Sequence, residues 1–302
     1  NEGTTTLAMR LNTNIEDCYM DFVYTLAADD YMVDMSIQPH NMQWALAQNM
    51  SSLEMQWNQL IPQQEKGRKF EEKYAQLQYM FVGGDIEKLS EVKADRAKES
   101  ARLKWIGYKD QFFSTVLIAG DAFESTQMES TPMNALSRHI KEYKTTASLP
   151  FDITGKKNVD LKYYFGPNHY NTLKAYDKDV EKSERLHLNE LVPLGWKIVA
   201  WINKALVIPM FDLFSSWGLH IGIVILLMTL VIKLIILPFV FASYKSSAKM
   251  RVLKPQLDEI NEKYPPEKMQ ERQQATMALY QKAGVSPMSG CLPMLFQFPV
   301  LM

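Results

Sequence analysis

The chain has 302 residues with 33 basic and 34 acidic side chains, so its net charge is close to zero. A near-neutral chain has no global field that would attract nucleic acid, and a length of this order predicts about two domains. Its two cysteines, Cys18 and Cys291, fall in regions of different composition, which argues against a disulfide and matches no zinc-ligand spacing.

Residues 1–167 alternate apolar and polar side chains, the pattern of half-buried antiparallel strands. The clearest runs are Val33–Ile37, Leu53–Trp57 and Ala75–Phe81. Turn-forming residues separate the runs at Asp29-Asp30, Gly83-Gly84 and Gly155. Together these features predict an antiparallel β-sandwich domain.

Helices are expected at two places in this domain, around Ile86–Arg102 and Met133–Tyr143. The connecting region 168–215 should begin with a short polar helix, for which Asn168 offers an N-cap and which ends at about Lys182.

A second helix of the connecting region runs from about Leu194 to near Pro209 and is amphipathic. It carries two tryptophans, Trp196 and Trp201, and two lysines, which is typical of a helix that lies in the membrane interface. A core helix of the β-domain is the alternative interpretation.

The next segment, 216–242, is predicted to be a transmembrane helix. Its apolar stretch Ile221–Phe241 gives a helix of about 31 Å, the thickness of a bilayer's hydrocarbon core. Lys233 lies near the middle, where a charge costs about 3 kcal/mol by insertion scales. The stretch contains no acidic partner, so Lys233 faces either water inside the membrane or polar groups on other helices. A structural ion pair with such a helix is the alternative to a functional role.

Thr229 precedes Lys233 by one turn and lies on the same face, where the two would form a small polar patch. Threonine also bonds readily to its own helix carbonyls in a membrane, which is the alternative for this residue. Pro238 is expected to bend the helix one turn beyond the lysine.

Basic residues predict the orientation of this helix, because cytoplasmic flanks of membrane spans are enriched in them. Neither Lys nor Arg occurs between Lys204 and Lys233, which leaves the N-terminal flank uncharged. The C-terminal flank carries Lys245, Lys249, Arg251 and Lys254. Residues 1–215 are therefore expected outside the cytoplasm and residues 243–285 inside it.

The cytoplasmic segment 243–285 has the pattern of a helical hairpin. Pro265-Pro266 separates a first helix from a second, which should run from about Glu267 to Ala283. The first helix has an apolar heptad seam at Met250, Leu253, Leu257, Ile260 and Tyr264. A docking arm for a cytoplasmic partner, using Lys249, Arg251 and Lys254, and a solvated coiled-coil spacer are the two interpretations.

Residues 286–302 are expected to begin another transmembrane helix. Their apolar run, from Leu292 onward, is too short to span a bilayer by itself. We therefore expect the chain to be part of a larger membrane protein, with at least one further span after residue 302.

Signs of catalysis or metal binding are weak. The five histidines are scattered without metal-ligand spacing, and phosphate-binding loops and nucleophile motifs are missing from the sequence. The sequence predicts no enzyme, no metal and no cofactor.

Several residue runs resemble the bacterial YidC family of membrane-protein insertases, almost continuously from about residue 161 onward. The runs near the first span are Tyr164-Phe165-Gly166-Pro167, Leu194-Gly195-Trp196 and Ser216-Trp217-Gly218. Those of the hairpin and the following span are Ala248-Lys249-Met250-Arg251, Lys254-Pro255-Gln256, Met277-Ala278-Leu279-Tyr280, Gly290-Cys291-Leu292-Pro293, Gln297 and Pro299. Upstream the resemblance is carried by Trp105 and Gln111-Phe112-Phe113.

The resemblance implies a five-span core around a water-containing groove that opens to lipid and cytoplasm, with Lys233 at the groove's single basic position and Thr229 facing the same groove. Family members often have arginine there, and lysine keeps the charge without the bidentate fork. Leu237 also replaces a residue that can be aromatic. The resemblance further implies a mutarotase-like β-supersandwich for the extracytoplasmic domain.

The expected protein is thus a multi-pass inner-membrane insertase and chaperone for nascent membrane proteins, acting alone or with the Sec translocon. Lipid and possible ribosome contacts complete its expected partners, and no specific nucleic acid is among them. A membrane-anchored carbohydrate-binding β-sandwich and a transporter subunit are the alternatives.

Overall fold

The structure is a computed structural model that describes residues 3–264 and 268–284. Contacts divide the chain into two compact units, Asn1–Val192 and Pro193–Met302. The predicted break at Pro265-Pro266, the predicted span start at 286–302 and Cys291 lie outside the described residues.

The first unit is a sandwich of two antiparallel β-sheets, which confirms the predicted β-fold. In chain order the strands are β1 (Thr4–Asn12), β2 (Tyr19–Ala27), β3 (Met32–His40), β4 (Ser52–Pro62), β5 (Gln76–Phe81), β6 (Ile86–Lys88), β7 (Asp95–Glu99), β8 (Leu103–Lys109), β9 (Phe113–Phe123), β10 (Thr126–Pro132), β11 (His139–Pro150) and β12 (Val159–Pro167). The large sheet has the order β1-β2-β3-β12-β9-β8-β5-β6, and the small sheet has the order β4-β11-β10-β7.

The main core lies between the two sheets and follows the alternation seen in the sequence. Tyr79 of β5 and Leu117 of β9 point into it, whereas their neighbours Met80 and Val116 are buried on the opposite face of the large sheet. The central strands are buried on both faces, which explains why Gln78 is buried as well.

The helix expected at Ile86–Arg102 is wrong, because this segment forms the short strands β6 and β7. Each strand is at an edge of its sheet, and their side chains are largely exposed and charged. Edge strands of this kind lack the apolar alternation by which strands are recognised.

The helix expected at Met133–Tyr143 is also wrong, because a turn leads there into β11. The inward-facing positions of β11 include Lys141 and Thr145, both about 1% exposed. Two buried polar residues at these positions obscure the period of two. The Lys141 ammonium donates hydrogen bonds to the backbone carbonyls of Ala75 (2.5 Å) and Glu91 (2.8 Å), which satisfies it in the core.

Two short helices belong to the first unit: α1 (Arg68–Tyr74) and α2 (Tyr170–Ala175). The helix expected from an Asn168 cap to Lys182 is therefore displaced and much shorter. The Asn168 side chain instead accepts a hydrogen bond from the Ser114 hydroxyl (2.6 Å) and donates one to the Asp110 carbonyl (2.9 Å).

A second core covers the outer face of the large sheet, and α2 and the segment after it provide its cover. Leu173, Leu188 and Leu191 are fully buried there, packed in one cluster with Trp105. The Trp105 indole donates a hydrogen bond to the Leu186 carbonyl (2.7 Å). Residues after 167 thus fold with the sandwich, and the first compact unit extends to Val192.

The second unit is helical. Its helices are α3 (Lys197–Ile202), α4 (Ile208–Ser216), α5 (Ile221–Val252), α6 (Lys254–Lys263) and α7 (Met269–Lys282), with a π-helical turn at Asn203–Val207 between α3 and α4. The expected helix end near Pro209 is wrong, since helix continues from Lys197 to Ser216. Pro209 occupies the first turn of α4, directly after the π-helical turn, where a missing N–H is tolerated.

A tight corner joins α4 to α5. Gly218 has a left-handed backbone (φ 68°) and donates to the Ser215 carbonyl (3.1 Å), which ends α4. The His220 ring then caps α5 by accepting a hydrogen bond from the Gly222 N–H (3.3 Å). The two helices pack through Met210, Phe214 and Val224.

Candidate functional site

Among the residues that the structure describes, two helical segments are long and apolar enough to cross a membrane, Lys197–Ser216 and Ile221–Ala242. The second contains Lys233 and is the predicted span. The first includes the helix that we expect at the membrane interface. Trp196 and Trp201 are 81% and 69% exposed there, and their placement at the interface stays a prediction.

Lys233 and Thr229 lie on the side of α5 that faces away from α4. The α4-facing side is marked by Val224, which is buried, and by Met228 and Val231, which pack beside it. At about 100° per residue, Lys233 is about 180° and Thr229 about 140° around the helix from Val224. Both side chains are exposed in the part of the chain that the structure describes.

The polar groups of this pair have different partners. The Thr229 hydroxyl donates to the Ile225 carbonyl of its own helix (2.8 Å), the alternative that the sequence left open. Its oxygen retains acceptor capacity toward a ligand. Within residues 3–264 and 268–284, Lys233 makes no ion pair or hydrogen bond. Its ammonium is therefore available to water or to a carboxylate.

A stripe of leucines runs along α5 next to the polar pair. Its members are spaced three or four residues apart, so they share one side of the helix, and all are more than half exposed. They are Leu226, Leu230, Leu234 and Leu237. The helix therefore presents a polar strip and an apolar strip side by side.

Helix α5 continues through Pro238 to Val252 and reaches about 48 Å, longer than a hydrocarbon core of about 30 Å. Its last turns carry Lys249 and Arg251, both exposed. Basic side chains at this end also complement the negative end of the helix dipole.

The predicted first hairpin helix is divided. A turn at Leu253 separates α5 from α6, so Lys249 and Arg251 belong to α5 while Lys254 begins α6. Pro255 explains the division, since its ring disfavours a continuous helix through the preceding turn.

The predicted heptad seam corresponds to a half-buried stripe, and α6 contacts α7. From residue 250 to 264 the members of the seam are half-buried, while the other residues are exposed. The half-buried residues are Met250, Leu253, Leu257, Ile260 and Tyr264.

The burial of two lysines in the first unit was not predicted from the sequence. Burial lowers the pKa of Lys109 and of Lys141 to about 8. Lys109 donates to the Tyr74 carbonyl (2.8 Å), beside the Ala75 carbonyl that Lys141 holds, so the two lysines fix the chain at the end of α1. The sequence gives one sign that Lys141 is buried. It is an even number of residues away from Tyr143 and Ala147, so it lies on the same face of the strand as these two core residues.

The described residues contain no cluster of His, Cys, Asp or Glu that could hold a metal ion. Cys18 is a free, buried thiol that donates to the Asn41 carbonyl (3.2 Å).

Two family models of known proteins match this chain, one over its first part and one over its second. The family model of the YidC periplasmic domain matches residues 1–209, and that of the 60Kd inner membrane protein matches residues 212–302. A membrane protein insertase YidC of Parabacteroides distasonis is 52% identical over 97% of this chain and 46% of its own length. Those of Azobacteroides pseudotrichonymphae and Amoebophilus asiaticus are 50% and 30% identical over 48% and 46% of their lengths. The chain spans about half the length of these curated relatives.

Proposed function

This chain belongs to the YidC family, and we propose that the whole protein inserts nascent proteins into the inner membrane and helps them fold. The role is non-enzymatic. The observation that carries the proposal is the exposed polar pair Thr229 and Lys233 on the side of α5 opposite α4, inside a segment that is otherwise apolar.

The pair lowers the cost of moving polar groups across lipid. Helices from the rest of the whole protein would enclose water beside it and form a hydrophilic groove. A substrate's polar extracytoplasmic tail would pause there, because a buried polar group without a partner costs several kcal/mol. An acidic tail would gain about 1 kcal/mol of Coulomb energy from Lys233 at 4 Å in water, and more where water is scarce.

The leucine stripe supplies the exit path. An apolar substrate segment held beside the pair has only to move around α5, from the polar strip to the leucines, to reach lipid. Packing between such side chains and a passing segment is non-directional, so many different clients are accommodated.

The proposed topology places residues 1–215 in the periplasm and 243–285 in the cytoplasm. The match of residues 1–209 to a periplasmic domain supports the first assignment, and the basic end of α5 supports the second. At the cytoplasmic face Lys249, Arg251 and Lys254 would recruit the substrate or the ribosome. The protein would act alone or beside the Sec translocon.

Site-specific photocrosslinking in the whole protein tests this function. A photoreactive residue at 229, 233 or 236 should crosslink to stalled nascent membrane proteins, because these positions face away from α4. Matched controls at Met228 and Val231, which pack toward α4, should give few substrate adducts.

Equal adducts from both sides of α5, or none, would overturn the assignment of the groove. Ion-coupled uptake into vesicles without substrate adducts would favour a transporter subunit, and saccharide binding by the first unit would favour a carbohydrate-binding protein.

A further inference from the structure

Four loops of the first unit lie together at one end of the sandwich. They are 63–75, which contains α1, 89–94, 110–112 and 133–138. Arg68 of the first loop donates a hydrogen bond to the Ser137 carbonyl of the last (2.7 Å). The Lys141 ammonium joins the first two loops, because it donates to the carbonyls of Ala75 and Glu91. We call the surface that these four loops present to solvent the tip surface.

The loop between β8 and β9, 110–112, is fixed to the same end. Lys109, the last residue of β8, donates to the Tyr74 carbonyl of the first loop (2.8 Å). The Asn168 amide donates to the Asp110 carbonyl (2.9 Å). Each loop of the tip surface is thus hydrogen-bonded to another part of the fold, which gives the surface a defined shape.

Each of the four loops presents a large apolar side chain to solvent. Leu136 and Val92 are 94% and 84% exposed, the highest values for large apolar residues in the part of the chain that the structure describes. Phe70 and Phe112 are 58% and 53% exposed. All four side chains lie outside the two cores of the first unit. Their apolar character therefore does not serve the packing of the sandwich.

The exposed charges on the same loops are almost all positive. Glu65 is the one exposed acidic residue, against five exposed basic residues. The basic residues are Lys66, Lys69, Lys73, Lys93 and Arg138. These five form no ion pair within residues 3–264 and 268–284. The acidic turn Asp29-Asp30 is at the same end but on the far side of β12. The tip surface therefore combines apolar side chains with a local excess of positive charge.

The chain leaves the first unit in the direction of the tip surface. The Leu186 carbonyl accepts a hydrogen bond from the Trp105 indole (2.7 Å). Leu191 lies beside Gly107, where an added Cβ would be 3.6 Å from it. Gly107 is two residues closer than Trp105 to the loop between β8 and β9, so the segment runs toward that loop before the unit ends at Val192.

A short connection follows. The next segment that is long and apolar enough to cross a membrane begins at Lys197. The five residue steps from Val192 to Lys197 span at most about 18 Å. A chain that enters the membrane at this segment therefore keeps the end of the first unit close to the lipid.

We propose that the tip surface binds anionic lipid head groups of the membrane, with its four apolar side chains inserted between them. This inference rests on the proposed topology, in which residues 1–215 are periplasmic. Anionic lipid attracts clusters of basic residues, and interfacial binding strengthens with the apolar area that is buried. Lipid is favoured over a protein partner because four of the five basic residues are lysines, which are depleted at protein interfaces.

Quenching of a fluorescent label by brominated lipid tests this contact. The whole protein carries a single cysteine, Leu136→Cys or Val92→Cys, with Cys18, Cys291 and any other cysteine replaced by alanine. It is labelled with bimane and reconstituted into vesicles of phosphatidylglycerol and phosphatidylcholine brominated in its acyl chains. Both labels should lose fluorescence relative to vesicles without bromine. The two positions belong to different loops, so one variant remains if the other does not fold.

Two controls separate lipid binding from mere nearness to the membrane. A label at Ala101→Cys, an exposed residue of the β7–β8 loop at the opposite end of the sandwich, should keep its fluorescence. Lys69→Glu combined with Arg138→Glu reverses two exposed charges. This pair should reduce quenching at residue 92 several-fold, as should replacement of phosphatidylglycerol by phosphatidylcholine.

Fluorescence that is unchanged by bromine at both 136 and 92, or equal quenching at 101, would overturn the proposal. Shielding of 136 and 92 from aqueous iodide without quenching by bromine would also overturn it and would assign the surface to a protein partner. Substrate crosslinking from 229 and 233 in the same vesicles reports the proposed function separately. Adducts without quenching would refute the lipid contact alone, whereas quenching without adducts would refute the insertase groove and leave the lipid contact supported.

Discussion

Lys233 is a single residue whose energetic cost is not compensated by any partner among the described residues. A charge inside an apolar helix costs about 3 kcal/mol by insertion scales, and the side chain neither packs against α4 nor pairs with another described residue. Its retention is explained if water, a substrate or a polar group from the rest of the whole protein solvates it. The charge, rather than the detailed shape of the side chain, is then the property that matters.

Substitutions of Lys233 separate charge from shape. Lys233→Ala should reduce insertion of single-span substrates with acidic tails several-fold, because the Coulomb contact of about 1 kcal/mol or more is lost. Lys233→Arg should retain insertion. The measurement is the fraction of substrate inserted in cells depleted of the native protein, with neutral-tailed substrates as the control. Undiminished insertion by Lys233→Ala would remove this residue from the mechanism.

Single residues also mark where sequence analysis of the fold fails. Lys141 occupies an inward-facing position of β11 that a pattern of hydrophobicity assigns to an apolar side chain. Its amine is satisfied by carbonyls from residues that are 50 and 66 positions away in the chain. A local pattern cannot contain such partners, and the strand was consequently predicted as a helix.

At the scale of elements, predictability follows the strength of the local pattern. The strands β3, β4 and β5 were predictable because one or both faces are core, and α5 was predictable from the length of its mostly apolar stretch. Edge strands β6 and β7 were not, since they are short and most of their side chains are charged. The helix through Pro209 was missed because a π-helical turn accommodates the proline, which composition does not reveal.

The hairpin elements α6 and α7 depend on each other. Helices of ten and fourteen residues are marginal in isolation, so their helicity must come from the shared apolar seam. Leu257→Asp places a charge in that seam and should abolish most of the amide protection of both helices. Gln256→Asp, its exposed neighbour, should leave protection nearly unchanged. Hydrogen exchange measured by mass spectrometry on the 302-residue chain reports both.

Loss of protection confined to α6 in the Leu257→Asp variant would contradict the shared seam and would favour two independent helices. A strong effect of Gln256→Asp would show that added charge, rather than lost packing, governs the hairpin.

At the scale of the whole molecule, the polar pair could be located from the sequence, whereas the extent of the first unit could not. Residue 167 is the last residue of β12, and a boundary there is a natural prediction from strand pattern alone. The segment that follows contributes its leucines to a core on the far face of the large sheet. That core depends on Trp105, about 80 residues earlier, and so it exists only in the folded molecule.

A comparison of chains 1–167 and 1–192 tests which boundary is physical. Leu173, Leu188 and Leu191 are fully buried, and burial of each contributes about 2 kcal/mol. Their combined loss, about 6 kcal/mol, is comparable with the entire stability of an ordinary domain. Removal of the segment also exposes Trp105 and frees its indole N–H. Chain 1–167 should therefore be unfolded or melt far below chain 1–192 in thermal unfolding followed by circular dichroism.

Leu188→Ala in chain 1–192 should lower Tm by an intermediate amount. Equal Tm values for the two chains would place the boundary at residue 167 and reduce the segment 168–192 to a linker.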